Sequence, residues 1–410
     1  MMMSFVVAVG LFVCVVLLCV VGMLWRQRKD AVPAIKEPSN GSYCVLILTA
    51  AVGGGHVAAG RALQVDIEQA GHQAIVRDGM HDLSPSLDWL VRTVYASQLK
   101  HRSQSAAMIF WLTSQPAVAA AVRALIGFCY GYRLLQVAQQ LQPDIVVSTY
   151  PLVTSALGYL RRRGKLAMPV VALIPDYGVH PLWVAPAIDL HLVASRLSAQ
   201  LAERAGGQVL VARLPVAPAY RSALVRAEAR QLLGLPHEPF IALIVGGAWG
   251  AGDLEGMTRH VARSGAYTIV VTGHNLALRD QLVTRFAAES NVHILGWTEE
   301  MRRLMAAADC ILQNAGGMTC LEAMEARLPI VLFDPIRGHG EFNATIMEQA
   351  RLASWPRTGA ALEALLRSAR LDKRSLPAPH REAAPAAAML MLALAQTSLS
   401  EVAQGSLTLA

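Results

Sequence analysis

Short apolar runs recur along the chain, each ending in a polar or glycine-rich tip. In the first half they cover 44–50, 74–77, 144–148, 169–174, 189–193 and 209–213. In the second half they cover 241–245, 267–272, 292–295, 310–312 and 330–333. Apolar residues that run on without alternating predict strands buried on both faces, as in parallel sheets. Stretches of helical composition lie between them, among them 58–69, 227–233 and 318–327. Such alternation predicts an α/β protein with two parallel-sheet domains, placed at 43–222 and 223–395 and followed by a tail at 396–410. The two halves share an architecture but no sequence repeat.

Two regions break the alternation. Residues 5–25 carry no charge and are long enough to span a bilayer as one helix. Arg26, Arg28 and Lys29 follow at once, while the first four residues have no basic side chain. This asymmetry predicts a retained anchor at 1–30, with the domains in the cytoplasm. A cleaved signal peptide fits less well, because the run lacks a basic start and a small-residue cleavage site. Residues 31–42, with Pro33, Pro38 and Gly41, read as a linker. The second irregular region is 84–141. There Trp89, Tyr95, Trp111 and Leu112 accompany Lys100, Arg102 and Arg123. It reads either as core helices or as a patch facing an anionic membrane surface.

Composition narrows the class. The chain is 54% hydrophobic and 16% charged, which excludes a disordered protein. Its net charge of +7 fits phosphorylated substrates or an anionic membrane. No zinc-finger spacing and no basic-aromatic pattern point to nucleic acid. The six cysteines lie in apolar runs without a Cys-x-x-Cys pair, as reduced, buried thiols do.

Candidate chemistry sits at the tips of the predicted strands. Gly316-Gly317 precedes a helix, where free N–H groups and the dipole favour a phosphate. Glu322, one turn on, is within reach of hydroxyls on whatever carries that phosphate. The same turn serves close βα packing in many proteins, and this stretch alone does not choose between the two. Gly53-Gly54-Gly55-His56 forms a comparable loop, but it is neither a P-loop nor a dinucleotide fingerprint. A lone histidine is usually structural; beside three glycines at a helix mouth, His56 is equally a catalytic candidate. Thr149, Asp176 and His180 also fall at carboxyl ends of strands, where open α/β sheets bind ligands.

Taken in order, several motifs resemble a known family. They are Gly53-Gly54-Gly55-His56; Asp176-Tyr177-Gly178-Val179-His180 with Trp183; Gly246-Gly247-Ala248-Trp249-Gly250; Gly316-Gly317-Met318-Thr319-Cys320-Leu321-Glu322-Ala323; and Asn343. This resembles the monogalactosyldiacylglycerol synthase and bacterial diacylglycerol glucosyltransferase group of glycosyltransferase family 28. The likeness runs from about Cys44 to Ala353. It implies a GT-B fold, with two Rossmann-like domains facing across a cleft, here preceded by one transmembrane helix. It implies an inverting, metal-independent transfer of a hexose from a UDP-sugar to a lipid such as diacylglycerol, with no cofactor. By the same likeness, Gly247, Gly250, Asn275, Gly316, Gly317, Thr319, Glu322, His339 and Asn343 would bind the donor. Gly54, Gly55, Tyr177 and Trp183 would meet the acceptor. His56 would be the general base, with His180 and Asp176 as further catalytic candidates. No Asp-x-Asp pair occurs, in keeping with a metal-independent route. The chain departs from the family pattern at Pro175, where Thr is common, and at Gly338-His339-Gly340-Glu341, which leaves the sugar open. A polyprenyl-linked or other apolar acceptor, a nucleotide-sugar epimerase and a non-catalytic nucleotide-sugar-binding protein are the competing readings.

Overall fold

A computed structural model describes residues 41–101, 104–222, 224–371, 376–377, 379 and 382–403. The expected anchor at 5–25, its basic flank, most of the linker and the end of the tail lie outside these residues. The chain divides into two compact units at Pro215/Val216 and again at Glu382/Ala383.

The first unit holds β1 (Cys44–Thr49), α1 (Gly55–Gln69), β2 (Gln73–Asp78), α2 (Gly79–Leu83), α3 (Pro85–His101), α4 (Gln104–Ser114) and α5 (Pro116–Leu141). It continues with β3 (Ile145–Ser148), α6 (Pro151–Arg162), β4 (Val170–Leu173), β5 (Leu190–Val193), α7 (Arg196–Arg204) and β6 (Val209–Val211). Its six strands are all parallel, in the order β2-β1-β3-β4-β5-β6. β1, β3, β4 and β5 are almost wholly buried, as unbroken apolar runs require when helices cover both faces.

The second unit holds α8 (Arg226–Leu232), β7 (Ile241–Val245), α9 (Leu254–Arg263), β8 (Tyr267–Val271), α10 (Leu276–Arg285), β9 (Val292–Leu295) and α11 (Met301–Ala307). After these come β10 (Cys310–Gln313), α12 (Gly317–Glu325), β11 (Ile330–Leu332), α13 (His339–Gln349) and α14 (Gly359–Leu371). Its sheet is again parallel, in the order β11-β10-β7-β8-β9.

Both sheets set their register with the same device. An aspartate just before one strand accepts the first backbone N–H of the neighbouring strand. Asp144 takes Cys44 N at 2.6 Å, Asp189 takes Val170 N at 2.8 Å, and Asp309 takes Ile241 N at 2.7 Å. Asp309 is also paired with buried Arg230 at 2.7 Å. A one-residue slip of these strands would break a charge-assisted bond as well as the ladder.

The structure bears on two expectations, agreeing with the core-helix reading for part of 84–141 and moving a domain boundary. Residues 84–141 are helical almost throughout, and α5 is a core helix. It is long and apolar enough to cross a membrane by length and composition, yet Ile126, Tyr130, Leu134 and Leu135 lie in the first unit's core. The last helix, α15 (Ala387–Ala403), belongs to the first unit and not to the second, so the second unit is Val216–Glu382 rather than 223–395. Backbone pairing explains this. Arg213 N donates to Pro385 O at 2.8 Å, Ala387 N donates to Arg213 O at 3.0 Å, and α15 then packs on α1.

Candidate functional site

In an open parallel sheet the loops part where the strand order reverses, leaving a crevice at the carboxyl ends. In the first sheet that reversal falls between β1 and β3. The loop after β1 turns through Gly53 (φ 80°) and Gly54 (φ 83°), left-handed conformations that side chains other than glycine's rarely tolerate. The turn lets α1 begin at Gly55, earlier than the apolar pattern suggests, and puts His56 in its first turn. Thr149, just after β3, donates Oγ1 to the His56 carbonyl at 3.1 Å. The His56 ring meets Tyr150 edge-on at 5.1 Å between centroids and lies 5.9 Å from Trp183. Trp183 in turn donates Nε1 to Asp176 Oδ2 at 3.3 Å. An imidazole, two aromatic rings and a carboxylate therefore form one cluster at the reversal point.

The segment that carries Asp176 is held by three helices. His180 Nε2 lies 3.3 Å from Phe110 O and 3.2 Å from Thr113 Oγ1, both on α4. Arg123 on α5 donates to Pro181 O at 2.7 Å, and Ser155 on α6 donates to Leu182 O at 3.1 Å.

In the second sheet the order reverses between β7 and β10, and here two glycine-rich loops meet. Asn314 donates Nδ2 to Ala251 O at 2.8 Å, and Gly252 (φ 90°) lets the loops approach, since a Cβ there would lie 3.0 Å from Asn314 Nδ2. Ala315 takes φ 70°, a strained conformation for a residue with a side chain. Asn343, fully buried, donates to the Ala315 carbonyl at 3.2 Å and braces that turn. α12 follows directly. The N–H groups of its first turn, from Gly317 to Thr319, have no acceptor within the helix and sit at its positive end. Glu322 lies in the second turn, and burial lifts its carboxyl from 4.5 to about 7. No hydrogen bond reaches that carboxyl among the described residues. Beside these loops, His274 and Trp297 stack at 4.1 Å with 11° between their planes, and Trp297 is 57% exposed. Among the described residues, no group of three or more His, Cys, Asp or Glu side chains is placed to hold a metal ion.

Comparison with known proteins agrees with this layout. Residues 56–208 match the monogalactosyldiacylglycerol (MGDG) synthase family model, and residues 254–357 match that of the glycosyl transferases group 1. The processive diacylglycerol beta-glucosyltransferase of Bacillus licheniformis is 26% identical over 312 residues, 74% of this chain and 80% of the relative. That of Bacillus subtilis is 24% identical over 74% of this chain and 81% of the relative. The first unit is thus similar to the monogalactosyldiacylglycerol synthase family, and most of the chain to diacylglycerol glucosyltransferases. The chain is a glycosyltransferase. Its two parallel-sheet units are those of the GT-B fold: the crystal structure of Acinetobacter baumannii MurG, 16% identical, superposes with a TM-score of 0.54 over 87% of this chain and 99% of that one.

Within the glycosyltransferase, the residues singled out in the sequence divide by position. His56, Asp176 and Trp183 come together, as do Gly317, Thr319 and Glu322. Others serve the protein itself. Tyr177 is fully buried and its carbonyl accepts from Ser198 Oγ at 2.8 Å; Trp183 is 2% exposed and packs behind His56. Neither side chain lines a surface, in contrast to the acceptor contact expected of them. His180 Nδ1 accepts from Leu182 N at 3.1 Å, so both of its ring nitrogens contact the chain. Gly316 N–H donates to Gln313 Oε1 at 3.2 Å rather than facing outward. Asn275 caps α10 by accepting from Leu278 N at 3.0 Å. Gly247 and Gly250 (φ 69° and 63°) shape the loop after β7, and Asn343 acts through Ala315. Half-buried His339 opens α13, while Glu341 is occupied in accepting from Gly338 N at 3.0 Å. The stacked His274–Trp297 pair was missed. Its signal was there, as a Gly-His and a Gly-Trp pair at neighbouring strand ends.

Proposed function

We propose that the enzyme transfers a hexose from a UDP-sugar to diacylglycerol or a closely related membrane lipid, inverting the anomeric centre without a metal ion. The observation that carries this reading is the likeness of residues 56–208, with His56 at their head, to monogalactosyldiacylglycerol synthase. The relatives' names, processive diacylglycerol beta-glucosyltransferases, point to the same acceptor class.

In this reading the donor lies on the second unit. The N–H groups of Gly317 to Thr319 receive the diphosphate, whose charge grows as its bond to the sugar breaks. Glu322 accepts from ribose hydroxyls, and the exposed face of Trp297 takes the base. His56 removes the proton of the acceptor hydroxyl as that oxygen attacks the anomeric carbon opposite the departing diphosphate. Trp183, held by Asp176, and Tyr150 keep the imidazole in place. The acceptor remains in the bilayer, which an N-terminal anchor and the exposed Trp89 and Trp111 approach from the cytoplasmic side.

Purified enzyme with mixed micelles of diacylglycerol and a panel of UDP-hexoses should release UDP and form a glycolipid seen by mass spectrometry. Release with none of the donors overturns the reading. His56→Ala should lower turnover by roughly 100-fold or more while leaving UDP affinity unchanged; a variant of full activity removes His56 from the chemistry.

A further inference from the structure

As the chain enters the second unit it makes a short 3-10 turn, Pro218–Arg221, that packs against α12. The turn is tied into its own unit. Arg302 Nη2 donates to Ser222 Oγ at 3.0 Å, and Arg221 Nη2 donates to Val216 O at 3.0 Å. Proline at the start of the turn stiffens it further. Tyr220 sits half-buried on this mount.

Two features of Tyr220 stand out. Among the described residues no hydrogen bond reaches its hydroxyl, just as none reaches the Glu322 carboxyl. The two groups also feel each other: burial and then the charge of Glu322 push the Tyr220 phenol up. Neither the phenol oxygen nor the carboxyl oxygens are among the described buried atoms without a partner, so both groups are open to a ligand. Two such groups on neighbouring elements, beside a helix N-terminus with open N–H groups, make a surface shaped for a polyhydroxyl ligand.

We propose that Tyr220 is a further donor-binding residue that, together with Glu322, grips the vicinal hydroxyls of the donor's ribose. The carboxylate accepts from one hydroxyl, and the phenol donates to the oxygen of its neighbour. This rests on the reading of Glu322 as the ribose acceptor. It adds a contact from the segment that joins the two units, which no glycine motif marks.

Titration calorimetry on the full chain in detergent tests it with three probes: UDP, 2′-deoxy-UDP and 3′-deoxy-UDP. Tyr220→Phe should weaken UDP by roughly 3- to 10-fold, the size of one hydrogen bond. It should leave one of the deoxy analogues bound as tightly as the wild type binds it, because that analogue lacks the hydroxyl the phenol serves. An equal loss for all three probes, or no loss for any, overturns the proposal. Glu322→Gln separates the two layers. If it binds UDP as the wild type does, the ribose reading itself fails. If it weakens UDP while Tyr220→Phe acts uniformly, only the role of Tyr220 fails.

Discussion

Glu322 is an acid whose setting favours its neutral form, since burial takes its carboxyl from 4.5 to about 7. Two consequences of opposite sign follow. For folding, the native state holds the proton more tightly than the unfolded chain. Stability therefore falls as pH rises from about 4.5 through 7, by on the order of 3 kcal/mol at most. For binding, the proposed ribose role requires hydroxyls that donate best to the carboxylate, so on that proposal UDP affinity should rise as pH rises through about 7. Calorimetry across pH 5.5–8.5 would show this, and Glu322→Gln should lose the dependence beyond UDP's own titration. A profile shared by both proteins would remove Glu322 as its source. Glu322 was legible in the sequence because its offset from a glycine turn is a local property. The duties of Tyr177, Trp183 and Asn343 were not, because burial depends on what packs over a residue. His180 shows the same limit: it sits at a strand end, but its partners Phe110 and Thr113 come from a distant helix.

At the scale of elements, the eleven strands of the described residues were legible because an unbroken apolar run between glycine-rich tips has few other uses in a parallel sheet. The aspartates at 144, 189 and 309 stand at the head of such runs, although their bonds across to the next strand need the fold to be seen. Residues 84–141 were harder to read, because helices that are apolar all round lose the periodicity that marks a buried face. The structure separates their roles. α5 packs into the core, whereas α4 has no charged side chain and carries Trp111 at 63% and Leu112 at 44% exposure. Trp89 on α3 is 66% exposed. If these residues enter the bilayer, a fluorophore at Leu112→Cys should be quenched by brominated acyl chains in vesicles, while one at Val283→Cys in α10 should not. Replacing Trp89 and Trp111 together with Ser should lower turnover on vesicle-borne lipid by about 10-fold or more, since each indole is worth ~1.5–3 kcal/mol of burial. Turnover on a short-chain soluble acceptor should be spared. Equal quenching at the two positions would place α4 in water.

For the whole molecule, the sequence pattern predicted two α/β halves but placed 387–395, the start of the last described helix, in the second, whereas it packs with the first. An Ala- and Leu-rich helix carries no mark of its partner; the pairing of Arg213 with Pro385 and Ala387 decides it. This makes the first unit a composite of both ends of the described chain, with Met391 and Ala395 fully buried. Because α15 packs on α1, this last described helix supports the helix that presents His56. Two compact units should unfold in two calorimetric transitions, and UDP should raise only the one that belongs to Val216–Glu382. Met391→Ala leaves a cavity in the other, costing about 2–5 kcal/mol. It should therefore lower the transition that ignores UDP and leave the responsive one, and the UDP dissociation constant, where they were. If the UDP-responsive transition drops instead, α15 stabilises the second unit and the division of the chain at Glu382 fails as a description of its energetics.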